Sequence, residues 1–325
     1  MKYAPFLLLL IFVACDKKND KTTATLSVPV PKFSADSAYT FVQRQVDFGP
    51  RIPNSEAHKK TAEYLERKLK SYGAQVTIQS FTQKTFDGVT VNLKNIVASF
   101  NPGKQKRIML AAHWDTRPFA SKDTVDPNAQ IDGANDGGSG VGVLLEIARH
   151  LRSDPTRVGV DIVLFDGEDW GERENTAPAD RVQLAEGLED WWGLGSQYWS
   201  KNPHRPGYRA YYGILLDMVG ANGARFFREG TSMQFAPRIV EKVWQAAALL
   251  GYSDFFISED AAALTDDNYF VSARARIPMA DIVEYNNNTG FGSYHHTTKD
   301  NMSVISKRTL DVVGKTVMYV VYQEE

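Results

Sequence analysis

RIMLAAHWD (107–115), GANDGGSGVGVLLEIARHLR (133–152) and VDIVLFDGEDW (160–170) follow one another within a single run of the chain, and their order decides the fold. The first and third are short, mostly apolar and bounded by turn signals, the pattern of strands buried on both faces of a sheet. The second is a glycine-rich turn leading into a helix, with Val143, Ile147 and Leu151 at helical spacing. Strand, turn, helix and strand make the unit of a parallel sheet, and in open sheets of this kind ligands bind beyond the carboxyl ends of the strands. Both strands end there in polar groups: His113-Trp114-Asp115 after the first and Asp166-Gly167-Glu168-Asp169 after the second, with Asp136 in the turn between them.

The flanking sequence extends the same architecture. Phe33 to Gln45 reads as an amphipathic helix with Ala38, Phe41, Val42 and Gln45 on one side, and the two prolines of Phe48 to Pro53 force a turn. Asn54 or Ser55 caps a helix whose Ala62, Leu65, Leu69 and Tyr72 share a face, with Gly73 at its end. Ala74 to Phe81 and Val89 to Phe100 alternate as antiparallel strands around Asp87-Gly88. Further on, Arg173 to Asp190 is a polar surface insertion, Trp191 to Ser200 a helix, Tyr211 to Val219 a buried strand and Phe235 to Leu250 a helix. Ile277 to Tyr285 is strand-like, Asn286 to Ser293 a flexible loop and Ser303 to Tyr322 the closing helix. Strands and helices alternate through most of the chain without an internal repeat, which predicts an α/β class with helices on both faces of the sheet.

At 325 residues and 43% hydrophobic content the chain can bury a large core. A formal net charge of -2, with no basic tract, gives no footprint for nucleic acid. Lys2 followed by the apolar run Phe6 to Val13 reads as a targeting segment, too short to span a bilayer. Ala14-Cys15 closes it and resembles the lipobox of bacterial lipoproteins, with a simple cleaved signal as the alternative. The expected organisation is a signal peptide over 1–14, a tether over 15–34 and a single catalytic domain over 35–325. Such a chain is exported and periplasmic, held at the membrane by a lipid on Cys15 alone, and taken as a monomer. Cys15 is the only cysteine, which excludes an internal disulfide.

The chemistry concentrates at the strand ends. An aspartate in a glycine turn, an acidic pair after a strand and a histidine in a late loop supply two oxygens and a nitrogen, three protein ligands that leave a fourth position open, as in catalytic zinc sites. Asp136, Asp169 and His296 are the candidates. Each alone reads more simply as a turn residue, a helix-terminal acid or a surface histidine. Their concurrence with His113, Glu168 and Asp217, all at strand ends or in the following loops, favours a metal centre. With Asp169 as ligand, Glu168 is left beside the open position as general acid and base. Burial would raise its pKa and a metal would lower it, and the sequence leaves that balance open.

FGPRIPNSEAH (48–58), AAHWDTR (111–117), GANDGGSGVGVLLEIAR (133–149), VLFDGEDWG (163–171), GILLDMVGA (213–221), Asp266-Asp267 and HHTTKDN (295–301) occur in the order found in glutaminyl-peptide cyclotransferases, which share a fold with zinc-dependent aminopeptidases. The chain resembles that family from about Phe48 to its end. The resemblance implies an αβα sandwich around a mixed, mostly parallel sheet, and one zinc held by Asp136, Asp169 and His296. It also implies Glu168 as proton shuttle, with Asp217 and Asp267 in a hydrogen-bond network with it. The implied reaction closes an N-terminal glutamine of a peptide or an exported protein to pyroglutamate, with release of ammonia.

Some positions depart from the animal enzymes of the family. Asp169 replaces a glutamate, and His295 replaces a tryptophan before the zinc histidine, which makes His295 a pocket residue or a second ligand candidate. Trp170, Trp191 and Trp192 compete for the substrate wall, and Trp114 is a further candidate. In the related aminopeptidases a second zinc is held at the positions of His113 and Asp217, so a two-zinc peptidase is the alternative reading. A peptide-binding lipoprotein without turnover is the other.

Overall fold

In the computed structural model, which describes residues 1, 28–173, 176–177 and 181–325, α1 (Ala35–Val46) and α2 (Glu56–Ser71) precede an antiparallel pair, β1 (Gln75–Lys84) and β2 (Thr90–Phe100). Next comes the crossover read from the sequence: β3 (Arg107–His113), α3 (Gly138–Ser153) and β4 (Gly159–Phe165), followed by α4 (Leu194–Lys201) and β5 (Gly213–Asp217). The remainder holds β6 (Phe226–Arg228), α5 (Gly230–Phe235), α6 (Pro237–Leu249), β7 (Phe256–Asp260), α7 (Asp267–Phe270) and β8 (Met279–Val283). A small hairpin, β9 (Tyr285–Asn286) and β10 (Gly290–Phe291), and α8 (Lys307–Gln323) complete it.

The main sheet runs β1-β2-β4-β3-β5-β8. Its first two pairs are antiparallel and the other three parallel, a mixed and mostly parallel sheet as expected. Strand alternation sorts two cores. Ile108, Leu110 and Ala112 of β3 with Val160, Ile162 and Leu164 of β4 pack under α1, α2, α3, α6 and α8. Met109, Ala111, Val163 and Phe165 point the other way, against Trp199 of α4 and Val271 and Ile277. The result is an αβα sandwich with one thick and one thin helical layer.

Four local readings are corrected. The folded body reaches back into the expected tether: Val28 exchanges hydrogen bonds with the Gln323 side chain, and Phe33 is buried against Gly314. Helix α4 begins at Leu194 rather than Trp191, because Asp190 accepts from the Trp191 and Trp192 amides and Gly193 is left-handed. The strand expected to Val219 stops at Asp217, where Met218 turns left-handed at φ 51. Asn286 to Ser293 holds a hairpin, in which Asn286 Oδ1 accepts from the Asn288 and Thr289 amides. Of the two capping candidates, Ser55 caps α2. Apart from Met1, the expected signal segment 1–14 lies outside the described residues, as do Cys15 and part of the insertion from 173 to 190.

Candidate active site

Parallel strand ends deliver the polar groups to one cleft of about 400 Å³. His113 closes β3, Asp136 stands in the turn before α3, Glu168 and Asp169 follow β4, and Asp217 closes β5. His295 and His296 arrive from the loop after β10. The turn at Asp136 closes over His113 only because Gly137 is glycine: its φ is +77, and a Cβ there would stand 2.8 Å from His113 Cε1. Three residues for which residue type and spacing predicted no role hold these segments. Asp115 accepts from the amides of Glu168 (3.1 Å) and Asp169 (3.2 Å). Asp300 accepts from those of Asn135 (2.8 Å) and Asp136 (3.0 Å). Arg51 donates to the carbonyls of Trp114, Asp132 and Gly133. Arg51 and Asp300 lay in the motifs FGPR and TTKDN, a signal that points to a position without giving its role.

Two overlapping sets of ligand atoms share Asp136. On one side His296 Nε2 lies 3.0 Å from Asp169 Oδ1 and 3.6 Å from Asp136 Oδ2. A tetrahedral zinc with ligands at about 2.0–2.2 Å spaces them about 3.4 Å apart, which these two separations bracket. Asp169 Oδ1 is buried yet has no partner in hydrogen-bond geometry, as expected of an oxygen aimed at a shared point rather than at the ring nitrogen. His296 adopts a left-handed backbone, φ 56, the kind of local strain that concentrates at functional sites. These residues fit a zinc. On the other side His113 Nε2 lies 3.0 Å from Asp136 Oδ1 and 3.1 Å from Asp217 Oδ1, at hydrogen-bond distance from both.

His295 Nε2 also approaches Asp136 Oδ2, at 3.9 Å, so His295, His296 and Asp136 form a third possible grouping. Lys122 Nζ donates to His295 Nδ1 at 2.6 Å. That bond leaves the proton of a neutral His295 ring on Nε2, and a protonated ring nitrogen is a donor rather than a ligand. His295 is therefore a pocket side chain.

Burial raises Glu168 well above the ordinary glutamate range; His113 opposes the shift, and Asp266, Asp169 and Asp267 reinforce it. Asp217 is raised by burial as well, against the hydrogen bond from His113. Asp136 goes the other way: burial disfavours its charge, but His113, His296 and His295 outweigh burial and hold it low. His113 is the counterpart. Burial disfavours its charged form, and Asp115, Asp136 and Asp217 overcome that to raise it well above the usual histidine value.

Of the expected substrate walls, only Trp192 and His295 line the cleft. Trp192 stacks on His296, ring centroids 5.8 Å apart and planes within 4°. Trp114 is fully buried, stacked on His58 with its Nε1 donating to Lys94 O. Trp170 packs with Phe81, Val91 and Leu93, and Trp191 is buried with its Nε1 donating to Val182 O. All three are core. The acidic pair is corrected as well. Asp266, not Asp267, faces the cleft. As N-cap of α7, Asp266 stands in extended backbone at the mouth, and Asp267, the first helical residue, turns inward and is fully buried. Behind Asp266 lies Asp281, also fully buried, for which residue type and spacing predicted no role.

Residues 95–321 match peptidase family M28. The glutaminyl cyclase of Bacteroides thetaiotaomicron, solved bound to N-acetylhistamine, is 46% identical with a TM-score of 0.86, over 91% of this chain and 100% of that one. The glutaminyl cyclase of Tannerella forsythia is 47% identical with a TM-score of 0.85, at the same two coverages. A Zn-dependent exopeptidase from Parabacteroides distasonis is 46% identical with a TM-score of 0.85, again over 91% and 100%.

Proposed function

The chain belongs to peptidase family M28, and from that membership and the geometry of its cleft we infer that it is a glutaminyl-peptide cyclotransferase, converting N-terminal glutamine to pyroglutamate with release of ammonia. The observation that carries the reading is Glu168: a buried carboxyl lining the cleft, next in sequence to Asp169, whose Oδ1 stands 3.0 Å from His296 Nε2.

Asp136, Asp169 and His296 would hold one zinc. When bound there, zinc supplies a Lewis acid that polarises the side-chain amide carbonyl of the glutamine. The protein's own residues do the rest. Glu168 takes a proton from the substrate α-amine, whose nitrogen forms a bond to the amide carbon, and returns a proton to the amide nitrogen as its bond to that carbon breaks and ammonia leaves. A carboxyl whose pKa burial raises suits both halves of that transfer. Asp266 opposes ionisation of Glu168, and Asp217 faces the same cleft. Trp192 forms an apolar wall beside the ligands. Nucleophile and electrophile belong to one residue, so the cleft has only to orient them.

A two-zinc peptidase is the second reading, and His113, Asp136 and Asp217 within 4.8 Å of one another favour it. In the first reading His113 instead bridges the two carboxylates, 3.0 Å from Asp136 Oδ1 and 3.1 Å from Asp217 Oδ1. Mass spectrometry of a glutamine-initiated peptide, with ammonia assayed alongside, separates the readings. Loss of one ammonia from an otherwise intact peptide is expected. Release of the first residue would establish the peptidase, and an unchanged peptide with zinc supplied would favour a binding protein.

We further propose that the chain is exported and lipid-anchored through Cys15, acting as a monomer on exported proteins whose processing exposes glutamine. The apolar run before Ala14-Cys15 supports this, and among the described residues no helix is long and apolar enough to cross a membrane. Labelled palmitate should enter the wild type and not Cys15→Ala.

A further inference from the structure

We infer that Arg117 is a positioning residue that sets the metal-facing carboxylate of Asp169 and the substrate wall Trp192 as one unit, an inference that rests on the cyclase reading above. Arg117 is 1% exposed. Its Nη1 donates to the carbonyls of Asp169 (3.0 Å) and Gly171 (3.4 Å), and its Nη2 to that of Glu172 (3.0 Å). The same Nη1 stands 3.6 Å from Asp169 Oδ1, and Nε donates to Ser121 Oγ at 2.9 Å. The guanidinium carbon lies 4.7 Å from the centroid of the Trp192 ring and 4.6 Å from that of Phe119. One planar cation thus grips the main chain from 169 to 172 at its edge and packs against the indole.

The wall is tied to the same segment from a second direction. A Cβ on Gly171 would stand 2.0 Å from Trp192 Cε2, so the indole lies directly against the backbone that Arg117 holds. Trp192 in turn stacks on His296. Metal-facing carboxylate, backbone, indole and histidine ring therefore form a continuous pack with Arg117 at its centre. An aspartate is one methylene shorter than a glutamate, so its reach toward a metal is fixed by where its main chain stands. Arginine suits this place because its fork of N–H groups and its flat face act at once, whereas lysine offers a point charge without the fork.

The test uses the full chain, with zinc affinity measured by chelator competition and KM and kcat measured on a glutamine-initiated peptide at saturating zinc. Supporting partners of metal ligands typically contribute about 10- to 100-fold in affinity, and Arg117→Met is expected to weaken zinc by that order. It is also expected to raise KM several-fold while kcat stays near wild type. Arg117→Lys should behave like Arg117→Met, and full rescue by lysine would overturn the role of the fork. Zinc affinity and KM both at wild-type values in a folded Arg117→Met, or only one of them moving, would overturn the coupling. Should that variant fail to fold, Ser121→Ala, which removes only the Nε partner, carries the same two readouts, with smaller shifts in the same directions expected. A wild type that releases no ammonia would overturn the cyclase reading separately, and the zinc titration would still test the hold on Asp169.

Discussion

Strands β3 and β4 carry buried charge at both ends, and the two ends treat it in opposite ways. At the amino end Arg107 meets Asp161 through two bonds, Nε to Oδ2 at 2.6 Å and Nη2 to Oδ1 at 2.7 Å. Ser99 and Tyr208 donate to the same carboxylate, and the rest of the guanidinium donates to the Phe100 and Asn101 carbonyls. Burial disfavours the Asp161 charge, yet Arg107 and Ser99 outweigh it and hold the group low. At the carboxyl end five acids, Asp136, Glu168, Asp169, Asp217 and Asp266, gather with His113 and His296. There Asp169 Oδ1 is buried without a partner in hydrogen-bond geometry, and His113 Nδ1 reaches Asp115 Oδ1 only at 3.5 Å. A closed network stabilises, whereas an open one costs stability that a bound cation can restore. The difference marks which end does chemistry.

The sharpest way to break this contrast is at Glu168. General acid–base catalysis typically contributes about 10²–10⁴-fold, so Glu168→Gln should lower the rate of ammonia release by that order while bound zinc stays at the wild-type level. Activity surviving the change would remove Glu168 from the mechanism. Asp136→Asn acts on the ligand set itself and should cost most of the metal, read by elemental analysis of the dialysed protein. A fully metallated variant would overturn the assignment of Asp136.

At the other end Arg107→Met should have the opposite profile. Stranding Asp161 without its partner should cost about 3–5 kcal/mol in urea unfolding, the usual scale for breaking a buried pair. Zinc content and turnover per folded molecule should not move. Loss of zinc affinity in that variant would mean that the two strand ends are coupled and the division drawn here fails.

Much of this was legible in the sequence, for identifiable reasons. Strands buried on both faces announce themselves as apolar runs, and a glycine turn carrying Asp136 can be placed because only glycine tolerates the closure over His113. The ligand candidates followed from residue type in a glycine turn, after a strand and in a late loop. What stayed illegible depends on direction in space. Four tryptophans read alike, and only packing separates Trp192 from Trp114, Trp170 and Trp191. Asp266 and Asp267 are adjacent and chemically identical, and the start of α7 decides which one faces the cleft. Phe33 follows a run of alternating valines and prolines that fits no helix or strand period, so its burial and the docking of Val28 on Gln323 had no periodic signal. Arg117, Asp115 and Asp300 act through backbone groups, which leave no trace in side-chain pattern.

The smallest expected effect lies beside the closed end and concerns pH. His204 packs against Tyr208, ring centroids 4.4 Å apart, and its Nδ1 accepts from Trp199 Nε1 at 3.3 Å. Burial lowers its pKa to about 4, with Asp161 opposing only in part. Above the unfolded value of about 6.5 the ring is neutral in both states and contributes no pH dependence. Below it the unfolded chain takes up a proton that the folded chain refuses, so stability falls between about pH 6.5 and 4 and levels off beneath the folded pKa. Glutamine cannot titrate and can still accept from Trp199, so His204→Gln should lose less stability than the wild type over that interval, read as urea midpoints against pH. Parallel curves would show that acid sensitivity comes from elsewhere. A buried imidazole whose Nε2 has no hydrogen-bond partner would then be inert to pH beside a satisfied carboxylate.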